Sequence, residues 1–139
     1  MKIFTKYYVL YLVLFAVYTI VFRYLLSSSL DAEHYTRVWI YAILYGLVIF
    51  ITAWNLGKAD GIKRFRFDAG TRFHAGTYLV WGIISELWFL LDLGSSHETI
   101  RIVHFTLIFW GFFLMLHFIF FFFLRKRTIK GIHKSELFD

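Results

Sequence analysis

Residues 99–124 read TIRIVHFTLIFWGFFLMLHFIFFFFL, and this stretch decides the fold. It carries one formal charge, Arg101 near its start, and ends in seven consecutive apolar residues, Phe118 to Leu124. A helix of this length rises about 1.5 Å per residue and so exceeds a bilayer hydrocarbon core of about 30 Å. In water such a run would strand phenylalanines on every side of the helix. In lipid the helix closes its own backbone hydrogen bonds and the side chains meet their own kind.

Working outward, three more stretches have comparable length, residues 7–26, 35–56 and 74–93. The composition agrees. Apolar residues make up 60% of the 139 and charged residues 17%, too little polar material to cover a soluble domain of this size, and eighteen residues are Phe. The expected fold is an all-α integral membrane protein, a four-transmembrane-helix bundle built from two antiparallel hairpins and forming a single membrane domain. The run 7–26 is longer than the apolar region of a signal peptide, so the N-terminal segment reads as a retained helix.

The net charge is +6. Its distribution points to topology and anionic lipid and away from nucleic acid. Lys2 and Lys6 precede the first span. Lys58, Lys63, Arg64, Arg66 and Arg72 lie in the connection 57–73, and Arg125, Lys126 and Arg127 open the tail 125–139. The connections 27–34 and 94–98 carry little positive charge. The positive-inside rule then places both termini and the middle loop in the cytoplasm. The alternating segment Lys63-Arg64-Phe65-Arg66-Phe67 reads either as an anchor on lipid headgroups or as an ordinary positive-inside loop. Lys63, Arg64, Arg66, Arg125, Lys126 and Arg127 are the candidate headgroup contacts.

Polar residues inside apolar spans are the best clues to a site, because a charge at the bilayer centre costs about 2.5–3.5 kcal/mol on insertion scales. Glu86 lies about 18 Å into the third span and His104 about 7 Å into the fourth from the opposite side, so the two levels nearly coincide. Arg23, near the far end of the first span, is expected to reach the same layer by snorkelling. Such a layer reads as a proton or cation site, or as a structural cluster pinning the helices. A second expected layer joins His74, Tyr78, His117 and Asn55. Its two histidines are a conceivable haem ligand pair, though packing explains them more simply, and no cofactor or metal is expected. Asp92 and Glu98, with His97 and Arg101, are expected to be solvated. Gly46, Gly76, Gly82 and Gly111 are small enough for close helix contact, with no strict GxxxG pair. A shift of 65 residues sets Tyr45-Gly46 against Trp110-Gly111 and Glu33 against Glu98, an architectural duplication at most.

The second hairpin resembles the bacterial two-transmembrane-helix domain family. The resemblance is carried by Phe73-His74 opening a helix, then Tyr78 and Val80, then Trp110-Gly111 and His117. Trp81 stands where that family usually has Asn, and Phe113 where it has a second Gly. The resemblance covers about half the chain. It implies a bacterial inner membrane and a sensing, scaffolding or assembly role without established enzymatic activity.

The chain has no cysteine and no proline. It has no phosphate-binding Gly-rich loop and no HExxH. The functional expectation is a small non-enzymatic accessory or assembly subunit or oligomeric scaffold. It would be surrounded by membrane lipids and associated with copies of itself or other membrane subunits. The alternative is an oligomeric ion channel or small transporter using Glu86 and His104.

Overall fold

The computed structural model describes residues 4–61 and 66–130. The chain is all-helical there: α1 (Lys6–Asp31), α2 (Tyr35–Gly61), α3 (Arg66–Leu90) and α4 (Ile100–Lys130). α1, α2 and α4 run on past the ends of their apolar stretches, and α3 starts before the stretch 74–93 but stops at Leu90. Hydropathy marks where oil-like side chains stop, but a helix stops only where its backbone is capped or broken. The connection 57–73 is therefore mostly helical, with Asp60 on α2 and Arg72 on α3.

Local chemistry sets the ends. Thr5 caps α1, its hydroxyl accepting from the Tyr8 N–H at 3.1 Å. The α1 and α3 C-termini close with the same device. Glu33 (φ 55°) and Asp92 (φ 56°) take the left-handed conformation. His34 N–H then reaches Ser29 O at 2.8 Å, and Leu93 N–H reaches Trp88 O at 3.0 Å. These are Schellman closures with an acidic residue where glycine is more usual.

Three helices, α1, α2 and α4, are long and apolar enough to cross a membrane. The third sequence span falls short because α3 carries Gly76, Thr77, Gly82, Ser85 and Glu86. Packing gives the reason. Among the described residues α1, α2 and α3 touch one another, α4 touches α3 alone, and so α3 is the one helix in contact with all the others. That pattern also removes the duplication. A two-fold relation between the hairpins would match the α2–α3 contact with an α4–α1 contact, and none exists among the described residues.

Burial runs opposite to that of a water-soluble bundle. The buried stripe of α1 is Tyr8, Tyr11, Phe15, Thr19, Arg23 and Ser27, three or four residues apart, while Val13, Val17, Ile20 and Val21 face outward. Tyr8, Tyr11, Phe15 and Phe73 form the core cluster, with Tyr45, Val80 and Trp81 packed against it. Hydroxyls stitch it together. Thr77 spends its one hydrogen on Phe73 O (2.7 Å), so Tyr11 donates to Thr77 Oγ1 at 2.7 Å. By the same reasoning Thr19 donates to Phe15 O and accepts from the Tyr45 hydroxyl at 2.8 Å.

Gly76 lets α1 and α3 approach. A Cβ there would stand 2.5 Å from Tyr8 Oη and 2.7 Å from Leu12 Cδ2. Gly76→Ala is therefore expected to destabilise the fold by about 1–3 kcal/mol through overpacking, although Ala is the better helix former by about 1 kcal/mol. A melting temperature unchanged or raised in detergent would show that the α1–α3 contact is looser than described.

Candidate functional site

The polar side chains gather at four places. At the end where both short turns lie, Arg23 Nη1 pairs with Glu98 Oε1 at 3.2 Å, with side chains only 6% and 9% exposed. Ser27 donates to Glu98 Oε2 at 2.9 Å, and the Ser95 N–H donates to the same oxygen at 3.1 Å. Trp88 Nε1 donates to Ser27 Oγ, and Ser95 Oγ to Asp31 Oδ1 at 2.6 Å. The guanidinium lies over the rings of Trp88 and Phe89. The turn after α3 thus folds back onto α1 and seals it.

This placement corrects two expectations. Arg23 pairs with Glu98 and makes no ion pair with Glu86 or His104 among the described residues, since the turn after α3 brings a nearer anion to it. Glu98 itself is not solvated, since the turn carries it inward onto Ser27. Thr19, Arg23 and Ser27 recur every four residues, so a polar face of α1 was readable. Its partner in a turn far along the chain carried no such signal.

The second place is the flank of the α3–α4 seam. His104 Nε2 lies 2.9 Å from Glu86 Oε1, with side chains 53% and 41% exposed. Glu86 lines two shallow grooves, one continuing over Leu90, Glu98 and Ile100, the other over Leu79, Gly82 and Leu107. The pair combines an acceptor and a donor on an otherwise apolar surface.

The third is the seam itself. His74 and His117 meet edge to face with ring centroids 5.4 Å apart. Tyr78 stands perpendicular to Trp110, and Trp81 packs on the same indole. Gly111 makes room for the Tyr78 hydroxyl, which a Cβ there would approach to 3.1 Å. His74 and Tyr78 therefore face α4, Phe73 and Val80 face the α1 core, and Trp81 packs against both. Asn55 does not join this layer. It sits exposed on α2 and turns back to donate to Ile51 O at 2.8 Å, because α2 and α4 do not meet.

The fourth place was missed by sequence reasoning. Arg72 Nη2 pairs with Asp60 Oδ2 at 2.7 Å, with Asp60 almost fully buried and Arg72 lying over the Tyr8 ring. By hydropathy both residues fall in the basic connection 57–73. As helix residues they lock the ends of α2 and α3 to the start of α1. Lys63 and Arg64 lie outside the described residues. Arg66, Arg125, Lys126 and Arg127 fall on helical backbone, but their side chains are also outside the described part. Among the described residues no group of three or more His, Cys, Asp or Glu converges as a metal site would require.

Compared with family models, curated proteins and solved structures, the chain finds no match.

Proposed function

We propose that this chain is a small non-enzymatic membrane protein of a bacterial inner membrane, with both ends cytoplasmic, acting as an accessory or assembly subunit or oligomeric scaffold. The observation that carries the reading is the surface of α4. Among the described residues its only helix contact is α3, and Phe105, Ile108, Phe109, Phe112, Phe120 and Phe123 all point outward. Each such side chain left in water forgoes about 1.5–3 kcal/mol of burial, and a patch of this extent on one helix marks a lipid or protein contact. Meanwhile the buried positions include Thr19, Arg23, Ser27, Asp60 and Ser85 beside the aromatic cluster of Tyr8, Tyr11, Phe15 and Phe73. Paired polar groups kept inside and an apolar surface turned outward suit a protein whose solvent is hydrocarbon. The basic residues bracketing the spans support the cytoplasmic termini. The resemblance of the second hairpin to the two-transmembrane-helix domains supports a sensing or assembly role, and its His74, Tyr78, Trp110, Gly111 and His117 lie together along the α3–α4 seam.

Alkaline carbonate washing of membranes tests insertion, and the expected result is that the chain stays in the pellet. Single cysteines at Lys2 and Lys134, in a chain that has none of its own, should react with an impermeant maleimide only after the cytoplasmic side is opened. A chain that is monodisperse without detergent, or tails labelled from opposite sides, overturns the proposal.

The channel reading is favoured only by the Glu86–His104 contact. That pair lies on an outer flank, so a conducting path would need several copies around it. If it conducts, Glu86→Gln abolishes ion flux in reconstituted vesicles. Under the scaffold reading the same change alters association or thermal stability, and no flux is present to lose.

A further inference from the structure

The geometry points to a second copy of this chain as the cover for the Glu86–His104 flank, in a two-fold symmetric pair. The inference rests on the membrane reading above, since in water the same two side chains would be hydrated and need no cover. Three observations carry it.

The first is exposure. Glu86 and His104 touch each other at 2.9 Å yet remain 41% and 53% exposed. A single contact uses one part of a carboxylate's acceptor capacity and one nitrogen of the ring. Lipid tails offer neither donor nor acceptor for the remainder, and side chains of this kind inside a membrane usually face protein or a water-filled cavity. Among the described residues no other helix covers the pair: α4 meets α3 alone, and the grooves beside Glu86 are lined by α3, α4 and Glu98 of the turn between them.

The second is shape. The groove beside the pair is walled by Leu79, Ile83, Leu87 and Leu107, and Gly82 lies one turn before Glu86. Gly82 has no side chain to raise the floor, and Leu107 already lies 3.0 Å from where a Cβ would stand. The helix that this glycine admits is α4 of the same chain, so what the groove offers a second copy is its apolar walls.

The third is complementarity. The patch holds an acceptor and a donor side by side. Turned about a two-fold axis through the groove, it presents His104 of one copy to Glu86 of the other, and the reverse. An isologous contact repeats each pairing and so satisfies both residues at once. A partner bearing one polar group would satisfy one of them. The apolar walls then pack against their own equivalents.

The absence of native cysteine makes the test direct. Ile83→Cys and Leu87→Cys place single thiols on the groove, while Val17→Cys and Ile43→Cys place them on outward faces of α1 and α2. Oxidation in native membranes is expected to give disulfide-linked dimers, of twice the chain mass, from the first two and not from the last two. Adding Glu86→Ala should cut the yield from Ile83→Cys roughly three- to tenfold, the range of one or two interhelical hydrogen bonds. Exchanging the two residues, Glu86→His with His104→Glu, should restore it. Absence of dimers from both groove positions overturns the inference. So does equal cross-linking at all four positions, or an adduct of another mass. Carbonate washing of the same membranes separates the two failures. A chain that washes out sinks the membrane reading, whereas one that stays in the pellet without cross-linking sinks only the pairing.

Discussion

Glu98→Ala is expected to lower stability by about 3–5 kcal/mol, the range for removing one partner of a buried ion pair. Glu98 is the anion that faces Arg23, and both side chains are over 90% buried. Arg23 Nε and Nη2 already lack hydrogen-bond partners among the described residues, so loss of Glu98 strands a whole guanidinium between the rings of Trp88 and Phe89. The change also frees the Ser27 hydroxyl and the Ser95 N–H from their shared acceptor. Arg23→Ala should cost less, because Glu98 keeps those two donors. The double change Arg23→Met with Glu98→Gln should recover much of the loss, since replacing both charges removes the desolvation cost of each. Thermal unfolding in mild detergent, followed by tryptophan fluorescence, reads all three. A loss below about 1 kcal/mol for Glu98→Ala would match an exposed pair and would place the turn away from α1.

Asp60→Ala should cost a similar amount, about 3–5 kcal/mol, for a related reason at the other end of the helices. Asp60 is 2% exposed and lies 2.7 Å from Arg72. The arginine lies over Tyr8, so one ion pair holds the end of α2, the start of α3 and the first turns of α1. Asp60→Asn retains an acceptor and should lose only about 1–3 kcal/mol. Hydrogen exchange separates a local effect from a global one. Protection should fall first near the C-terminal end of α2 and the N-terminal end of α3, while the Arg23–Glu98 end keeps its protection. Uniform loss along the chain would mean that the pair does not act at that end.

How much of this was legible in the sequence depends on whether depth or azimuth is asked. Counting residues along apolar runs places Glu86 and His104 at one level, and the two side chains meet. The same count places Arg23 near that level, but says nothing about which helix its face meets. The i, i+4 series Thr19, Arg23, Ser27 defines a polar face without naming a partner. Glu98 is 75 residues from Arg23, and short-range periodicity carries no information over that separation. Asp60 and Arg72 were obscured differently. Their charges read as loop, because hydropathy reports the solvent a side chain prefers, whereas helix continuation depends on backbone caps and breakers.

By itself, the sequence determined that the chain is helical, where its two short turns fall, and that α1, α2 and α4 are apolar enough to lie in oil, while its third span, 74–93, falls short. These follow from local backbone hydrogen bonding and from side-chain polarity summed over each helix. Tertiary structure alone decided that α3 is the hub, that α4 rests on one neighbour, and that Glu98 and Asp60 are buried against arginines. Those outcomes depend on how helix faces rotate toward one another, and that rotation is set by close packing at sites such as Gly76 and Gly111, where the space belongs jointly to two helices.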